Sequence, residues 1–145
     1  MSLGRKLVVI AVLYVIEGFP MAIFRDVWSV YLRERGVSLA AIGVISGLYV
    51  AWSAKVLWSP LVDRFGARQH WIVGALLGIA LALLAVGALD PSVALVAVGA
   101  SIAVFCLASA TQDIAIDAYS IGLVRPGEEG AANGVRVAAY RVAIL

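Results

Sequence analysis

The chain has 145 residues, of which 63% are hydrophobic and only 14% are charged, and its mean hydropathy is +1.03. Soluble domains are about half apolar with about a quarter of their residues charged, so this composition indicates an integral membrane protein in contact with the lipid bilayer. A net charge of +2 without a basic cluster excludes nucleic acid as an expected partner. One cysteine and one histidine exclude an intrachain disulfide and the usual metal clusters.

Four stretches of the chain are predicted as membrane-spanning helices, because a span needs about 20 mostly apolar residues. They cover residues 7–32, 38–61, 71–89 and 92–123. A fifth helix is predicted at 130–145, and its 16 residues are too few to cross. The first follows Arg5 and Lys6 like a signal peptide, but it runs on through Glu17 without a clear cleavage site, so we expect a retained helix. The fifth is still running at Leu145, and we therefore expect the chain to be the front part of a longer protein.

Ionisable side chains inside these predicted helices are the first functional signal. Each would cost about 2.5–3.5 kcal/mol at a bilayer centre on insertion scales, so we expect them to face one another or a wet cavity rather than lipid. Four are acidic and four are basic: Glu17, Asp26, Asp113 and Asp117, and Arg25, Lys55, Arg136 and Arg141.

The first predicted helix contains Glu17-Gly18-Phe19-Pro20 and then Arg25-Asp26. Gly18 and Pro20 predict a bend near mid-membrane. A broken helix with a glutamate at the break is typical of a binding site in transporters, so Glu17 is a candidate functional residue. Arg25 and Asp26 neutralise either each other or groups of the second helix.

The second and third predicted helices differ in polarity. Lys55 lies near one end of the second helix, where its long stem either reaches the membrane interface or places a cation in a cavity. The third helix carries no charged or hydroxyl side chain from Ile72 to Leu89, so we expect it to lie at the periphery against lipid.

The basic residues of the connections predict the orientation of the helices. Lys and Arg are in excess in cytoplasmic loops. With the N-terminus in the cytoplasm, five basic residues lie inside and two outside: Arg5, Lys6, Arg64, Arg68 and Arg125 against Arg33 and Arg35. This distribution favours a cytoplasmic N-terminus.

The fourth predicted helix holds the strongest local signal, Gln112-Asp113-Ile114-Ala115-Ile116-Asp117. Carboxylates at i and i+4 share a helix face, about 5–6 Å apart at Cβ. Unless a cation intervenes, two such groups in a low dielectric cannot both ionise cheaply, and one holds a proton. That suits a proton-coupled step. In the alternative interpretation both aspartates are permanently bonded to basic residues on neighbouring helices.

The fifth predicted helix supplies partners for these carboxylates. Asn133, Arg136 and Tyr140 lie on one face, and a short loop joins this helix to the fourth. Arg136 pairs with Asp117 or Asp113, or it binds an anionic group of a substrate through its planar fork. Arg141 points to a different neighbour.

Four motifs in order resemble the AmpG-type permeases, the peptide and acetyl-CoA transporter branch of the major facilitator superfamily. They are Glu17-Gly18-Phe19-Pro20, Gly36-Val37-Ser38-Leu39-x-x-Ile42-Gly43, Lys55-x-Leu57-Trp58-Ser59-Pro60-Leu61-Val62-Asp63-Arg64, and Gln112-Asp113-Ile114-Ala115-x-Asp117-Ala118-Tyr119. The segment Ser59-x-x-x-Asp63-Arg64-x-Gly66-x-Arg68 also resembles the superfamily's loop motif, with Ser59 in place of its first glycine and Ala67 in place of a basic residue.

The resemblance implies an all-α membrane fold of twelve helices in two halves. This chain would hold helices 1–4 and the start of helix 5 of the N-terminal half, and its C-terminal half would be missing. Helices 1 and 4 would line a central cavity, and helix 3 would be peripheral. Asp63, Arg64, Gly66 and Arg68 would form a gating loop on the cytoplasmic side. The full-length protein would be a monomer in a bacterial-type inner membrane.

The resemblance implies secondary transport rather than an enzyme, with no cofactor and the proton gradient as the energy source. AmpG-type members import anhydromuropeptides, and relatives carry acetyl-CoA or siderophores. The expected partner is therefore a small amphiphilic solute. Two other classes remain open. One is an intramembrane enzyme that holds Mg²⁺ on Asp113 and Asp117. The other is a small membrane scaffold or accessory subunit.

Overall fold

The computed structural model describes the whole chain, residues 1–145, and its regular structure is entirely helical. The α-helices are α1 (Leu3–Ala22), α2 (Trp28–Glu34), α3 (Leu39–Ser46), α4 (Val50–Ala54), α5 (Ser59–Arg64), α6 (Arg68–Ala88), α7 (Leu95–Leu123) and α8 (Glu129–Ala143). A π-helical segment (Ile23–Val27) joins α1 to α2, and 3₁₀ turns flank α4 at Gly47–Tyr49 and Lys55–Leu57. The prediction of an all-α fold is confirmed.

Four helical stretches are long and apolar enough to cross a membrane, by length and composition. They are Leu3–Glu34, Leu39–Leu57, Arg68–Ala88 and Leu95–Leu123, and they coincide with the first four predicted helices. The fifth predicted helix is α8, which begins at Glu129 and ends at Ala143. The chain is therefore an integral membrane protein that passes the bilayer several times.

The first span departs from α geometry later than the sequence predicts. The predicted bend lies at Gly18–Pro20, but α1 continues through Pro20 to Ala22, and the irregular π-helical segment follows at Ile23–Val27. Proline cannot donate to the carbonyl four residues earlier, so the bond that Pro20 removes lies in the turn before it and not in the π-helical segment.

The second span is not the single helix predicted over residues 38–61. It divides into α3, α4 and α5 with 3₁₀ turns between α3 and α4 and after α4. Its last break has a local cause, because Pro60 has no N–H to donate to the carbonyl of Val56. The hydroxyl of Ser59 donates to that carbonyl at 3.2 Å instead, so the free acceptor is satisfied.

Helix α7 is the centre of the packing. It lies against α6 on one side and contacts α1, α4 and α5, while α8 packs along α1. Leu77, Leu81 and Leu84 of α6 are exposed on its outer side, as expected for a helix at the lipid-facing periphery.

Two apolar clusters fill the interior, one toward each end of the bundle. Tyr14 of α1 and Ile114 of α7 belong to one cluster, and Phe24 and Ala110 of the same two spans belong to the other. The polar residues Glu17 and Asp113 lie between these positions in the chain. The two clusters therefore meet at a polar layer, which extends along α7 into the cluster of Tyr14 and Ile114 as far as Asp117.

Candidate functional site

The polar layer contains three carboxylates and two basic side chains from three spans and α8. Glu17 comes from α1, Lys55 from the turn after α4, Asp113 and Asp117 from α7, and Arg136 from α8. The layer thus brings together five of the eight ionisable residues that the sequence places inside the predicted helices.

Asp117 is held by two neighbouring helices. Its Oδ1 accepts a hydrogen bond from Nη2 of Arg136 at 2.6 Å and another from the hydroxyl of Tyr14. The guanidinium of Arg136 also lies over the ring of Tyr14, 4.8 Å from its centroid. Charge-assisted hydrogen bonds of this kind are about twice as strong as neutral ones, so α1, α7 and α8 are tied together at Asp117.

Asp113 pairs with a different cation. Its Oδ2 lies 3.4 Å from Nζ of Lys55, and the two side chains are 11% and 33% exposed. The sequence allows the Lys55 ammonium to lie either at the membrane interface or in a cavity. In the structure it faces the carboxylate of Asp113 inside the bundle. Both aspartates therefore have a cationic partner on a neighbouring element, as in the alternative interpretation of the sequence.

Glu17 has no partner of either kind. The residue is 9% exposed, and its Oε2 is buried without a hydrogen bond. Three other polar side chains on α7 are also buried without a partner, namely Ser109, Gln112 and Ser120. Buried polar groups are normally hydrogen-bonded, so an unpaired carboxylate oxygen inside the bundle is exceptional.

Two cavities open onto the layer. One of about 430 Å³ is lined by Lys55 and Asp117 and also by Asp63 and Arg68 of the predicted gating loop. The other, of about 410 Å³, is lined by Tyr14, Asn133, Arg136, Val137, Tyr140 and Arg141. Asp117 lines the first cavity and its partner Arg136 lines the second, so this ion pair lies between the two cavities.

The remaining predicted residues lie outside the layer. Arg25 pairs with its neighbour Asp26 at 2.9 Å, and both side chains are more than half exposed. Arg141 makes no ion pair and lies on the wall of the second cavity. Of the loop residues, Asp63 and Arg64 end α5 and Arg68 begins α6, and all three are exposed without an ion pair. Gly66 between them has a φ of +74°, a conformation that favours glycine.

The sequence does not predict two of the contacts. The first is the hydrogen bond from Tyr14 to Asp117. Tyr14 stands one helical turn before Glu17, and that spacing is the signal that could have placed Tyr14 in the site. Nζ of Lys6 donates to Oε2 of Glu128 at 2.5 Å, which ties the start of α1 to the loop before α8. Nothing local in the sequence pairs these two residues.

These features define a multi-pass helical membrane protein with a buried polar site between its spans. Residues 20–130 match the MFS_1 like family, and because this is most of the chain, the protein belongs to that family of the major facilitator superfamily. An uncharacterized protein of Haemophilus influenzae is 30% identical over 146 residues, covering 97% of this chain and 34% of that relative. The anhydromuropeptide permease of Escherichia coli K12 is 31% identical over 134 residues, covering 89% of this chain and 27% of the permease.

The chain spans about a third of the length of these curated relatives, 34% of one and 27% of the other. No solved structure matches it significantly. The family and the permease confirm the resemblance to AmpG-type permeases, and they confirm the prediction that the chain is not an enzyme.

Proposed function

We propose that the protein is a secondary active transporter that imports an amphiphilic solute, such as a muropeptide, together with protons. The observation that carries the proposal is the layer of three carboxylates and two cations between the helices. Glu17 and Asp113 are buried there, and Asp117, Lys55 and Arg136 are partly exposed. Charged groups inside a membrane are costly and mark solute or ion pathways.

The arrangement of the layer supports transport over a purely structural role. Glu17 and Gln112 keep unsatisfied atoms, whereas a structural network would be expected to satisfy them. The cavities beside Lys55 and Arg136 give water and solute a route to the charged groups.

The identity of the solute is proposed from the relatives. The similar Escherichia coli protein is an anhydromuropeptide permease, and such a solute has sugar hydroxyls, amides and carboxylates. Arg136 and Tyr140 at the second cavity offer donors for such groups. Acetyl-CoA or a siderophore, which other members of this branch carry, is the alternative cargo.

We place the protein in a bacterial-type inner membrane with its N-terminus in the cytoplasm. The full-length protein would be a monomer that uses no cofactor. The bond between Lys6 and Glu128 brings the start of α1 and the loop before α8 to the same end of the bundle, so Lys6 and Arg125 lie on one side. The excess of basic residues at that end supports its assignment to the cytoplasm.

The test is uptake into proteoliposomes that contain the full-length gene product. An imposed pH gradient, acidic outside, is expected to drive accumulation of labelled anhydromuropeptide. Asp113→Asn and Asp117→Asn are expected to reduce it, since each leaves a partly buried cation without its counter-charge. Uptake that ignores both the gradient and the two substitutions would contradict proton coupling. Transport of labelled acetyl-CoA or a labelled siderophore, and not of the muropeptide, would show that the solute is the alternative one.

A further inference from the structure

The charges of the polar layer do not balance. Glu17, Asp113 and Asp117 contribute three negative charges when ionised, and Lys55 and Arg136 contribute two positive charges. Lys55 neutralises Asp113, and Arg136 neutralises Asp117. One negative charge therefore remains, and it falls on Glu17.

The surroundings of Glu17 make that charge expensive. The charged and titratable groups around it are Tyr14 on its own helix, Lys55 of the second span, Asp113 and Asp117 of α7, and Arg136 and Tyr140 of α8. Both cations among them are already committed to aspartates. An isolated carboxylate in a low dielectric is neutralised by binding a proton unless a counter-charge arrives.

We propose that Glu17, rather than either aspartate, carries the transported proton, and that one proton moves in each cycle. This inference rests on the proposed function and specifies its coupling site. The carboxylate of Glu17 takes a proton from hydronium on one side, forming an O–H bond and releasing water. On the other side the bond breaks, and the proton passes to water.

The two aspartates have a different role in this scheme. Protonation of Asp113 would leave Lys55 without its paired carboxylate, and protonation of Asp117 would do the same to Arg136. With Glu17 ionised, either event would leave two charges without their pair, one of each sign, whereas protonation of Glu17 leaves none. The ion pairs remain intact while Glu17 titrates.

The first test is independent of any solute. Infrared spectra of the purified full-length protein are expected to show the carbonyl stretch of a protonated carboxyl group at neutral pH. Glu17→Gln is expected to remove this band, and Glu17→Asp is expected to keep it at a shifted frequency, because the protonated group is then an aspartic acid. Asp113→Asn and Asp117→Asn each free a cation that can pair with Glu17, so each is expected to weaken the band. Glu34→Gln is the matched control, because Glu34 is exposed near the end of the first span without a partner. A band that survives Glu17→Gln, or its absence from the wild-type protein, would overturn the inference.

The second test measures coupling with labelled anhydromuropeptide. With the membrane potential clamped at zero, one proton per solute allows accumulation of about tenfold for each imposed pH unit. Glu17→Gln is expected to exchange solute across the membrane but not to accumulate it. If Glu17→Gln accumulates solute as well as the wild type does, proton coupling does not depend on Glu17. That result would refute this inference and leave the proposed function standing.

Two further outcomes separate the possibilities. If Glu17 instead binds a cationic group of the solute, Glu17→Gln will raise KM and keep the dependence on the gradient, which also overturns the proposal. If the wild type transports no solute but its infrared band depends on Glu17, the proposed function fails while the proton on Glu17 stands. Glu17→Asp keeps a carboxyl group and is expected to retain an infrared band. It therefore tests the inference even where Glu17→Gln does not fold.

Discussion

At the scale of single residues, the site depends on which carboxylate has which partner. Asp117 accepts from Arg136 and Tyr14, Asp113 faces Lys55, and Glu17 has neither a cation nor a hydrogen bond to its buried oxygen. Three acidic side chains of similar chemistry therefore have different electrostatic environments.

The pair between Asp117 and Arg136 is open to a double-mutant cycle. Asp117→Asn is expected to lower the free energy of unfolding by about 1.5–3 kcal/mol, the usual contribution of hydrogen bonds to charged groups. In the Arg136→Gln background the same change is expected to cost less, because no unpaired cation remains. Thermal unfolding of the four purified full-length proteins measures the coupling. Additive effects would show that the two side chains do not interact.

Sequence reasoning at this scale identifies residues but not their partners. Asp113 and Asp117 are found because their spacing marks one helix face. The choice of Lys55 for one and Arg136 for the other depends on how separate spans pack, and that packing is not encoded in local spacing. Tyr14 escapes prediction as a functional residue for the same reason.

At the scale of elements, α1 is held against α8 by close packing and by one ion pair. A Cβ on Gly18 would lie 2.7 Å from Cβ of Ala143 and 3.2 Å from the carbonyl oxygen of Tyr140. The helices approach closely here because α1 has no side chain at this position. Nearer the N-terminus, Lys6 and Glu128 join the same region through charge.

Gly18→Ala is expected to destabilise the protein by about 1–3 kcal/mol, the usual cost of an extra methyl group in a packed interior. The atoms in its way belong to the backbone and Cβ of α8, so a rotamer change cannot relieve the contact. Gly4→Ala on the same helix is the control, because nothing lies within 4 Å of its added Cβ. Equal melting temperatures for the two variants would contradict the close approach of α1 and α8.

The pair between Lys6 and Glu128 predicts a pH dependence. The hydrogen bond from Lys6, with a second from the N–H of Arg125, holds the pKa of Glu128 below its usual range. A lowered folded-state pKa gives stability that is present above the unfolded-state pKa and is lost as the pH falls through the folded-state value.

The melting temperature of wild type is therefore expected to exceed that of Glu128→Gln at neutral pH, with the difference shrinking in acid. Glu34→Gln, which removes an exposed carboxylate without a partner, is expected to differ little from wild type throughout. A difference for Glu128→Gln that is unchanged down to strongly acidic pH would show that the ion pair contributes nothing.

The bounds of the helices show which parts of the fold can be predicted from hydropathy. Hydropathy predicts four spans because each needs a long apolar run, and all four are present. Hydropathy predicts the second span as one helix, because an apolar run contains no signal for the 3₁₀ turns on either side of α4. The irregular turn of the first span is predicted at Pro20 and lies in the segment that follows it.

At the scale of the whole molecule, the proposed orientation places alternate connections on opposite sides of the membrane. The connection around Gly66 and the loop before α8 lie at the end that holds Lys6, and the connection around Asp90 lies at the other. The native Cys106 is buried, so an impermeant thiol reagent is expected to leave it unlabelled.

Single introduced cysteines test this arrangement in intact cells. Ala67→Cys is expected to resist an impermeant maleimide added outside and to react after the membrane is opened, while Ser92→Cys is expected to react from outside. Both positions are exposed in turns or at a helix start. The reverse labelling pattern would place the N-terminus outside and contradict the proposed orientation.

Proton movement that accompanies solute is the most direct measure of the proposed mechanism. Proteoliposomes containing the full-length protein and an enclosed pH-sensitive dye would receive anhydromuropeptide outside, with no initial pH gradient. Proton symport predicts that the lumen acidifies as solute enters, and that Glu17→Gln abolishes this acidification while solute still equilibrates. Entry of solute into wild-type vesicles without any change in internal pH would contradict coupling through the buried charged layer.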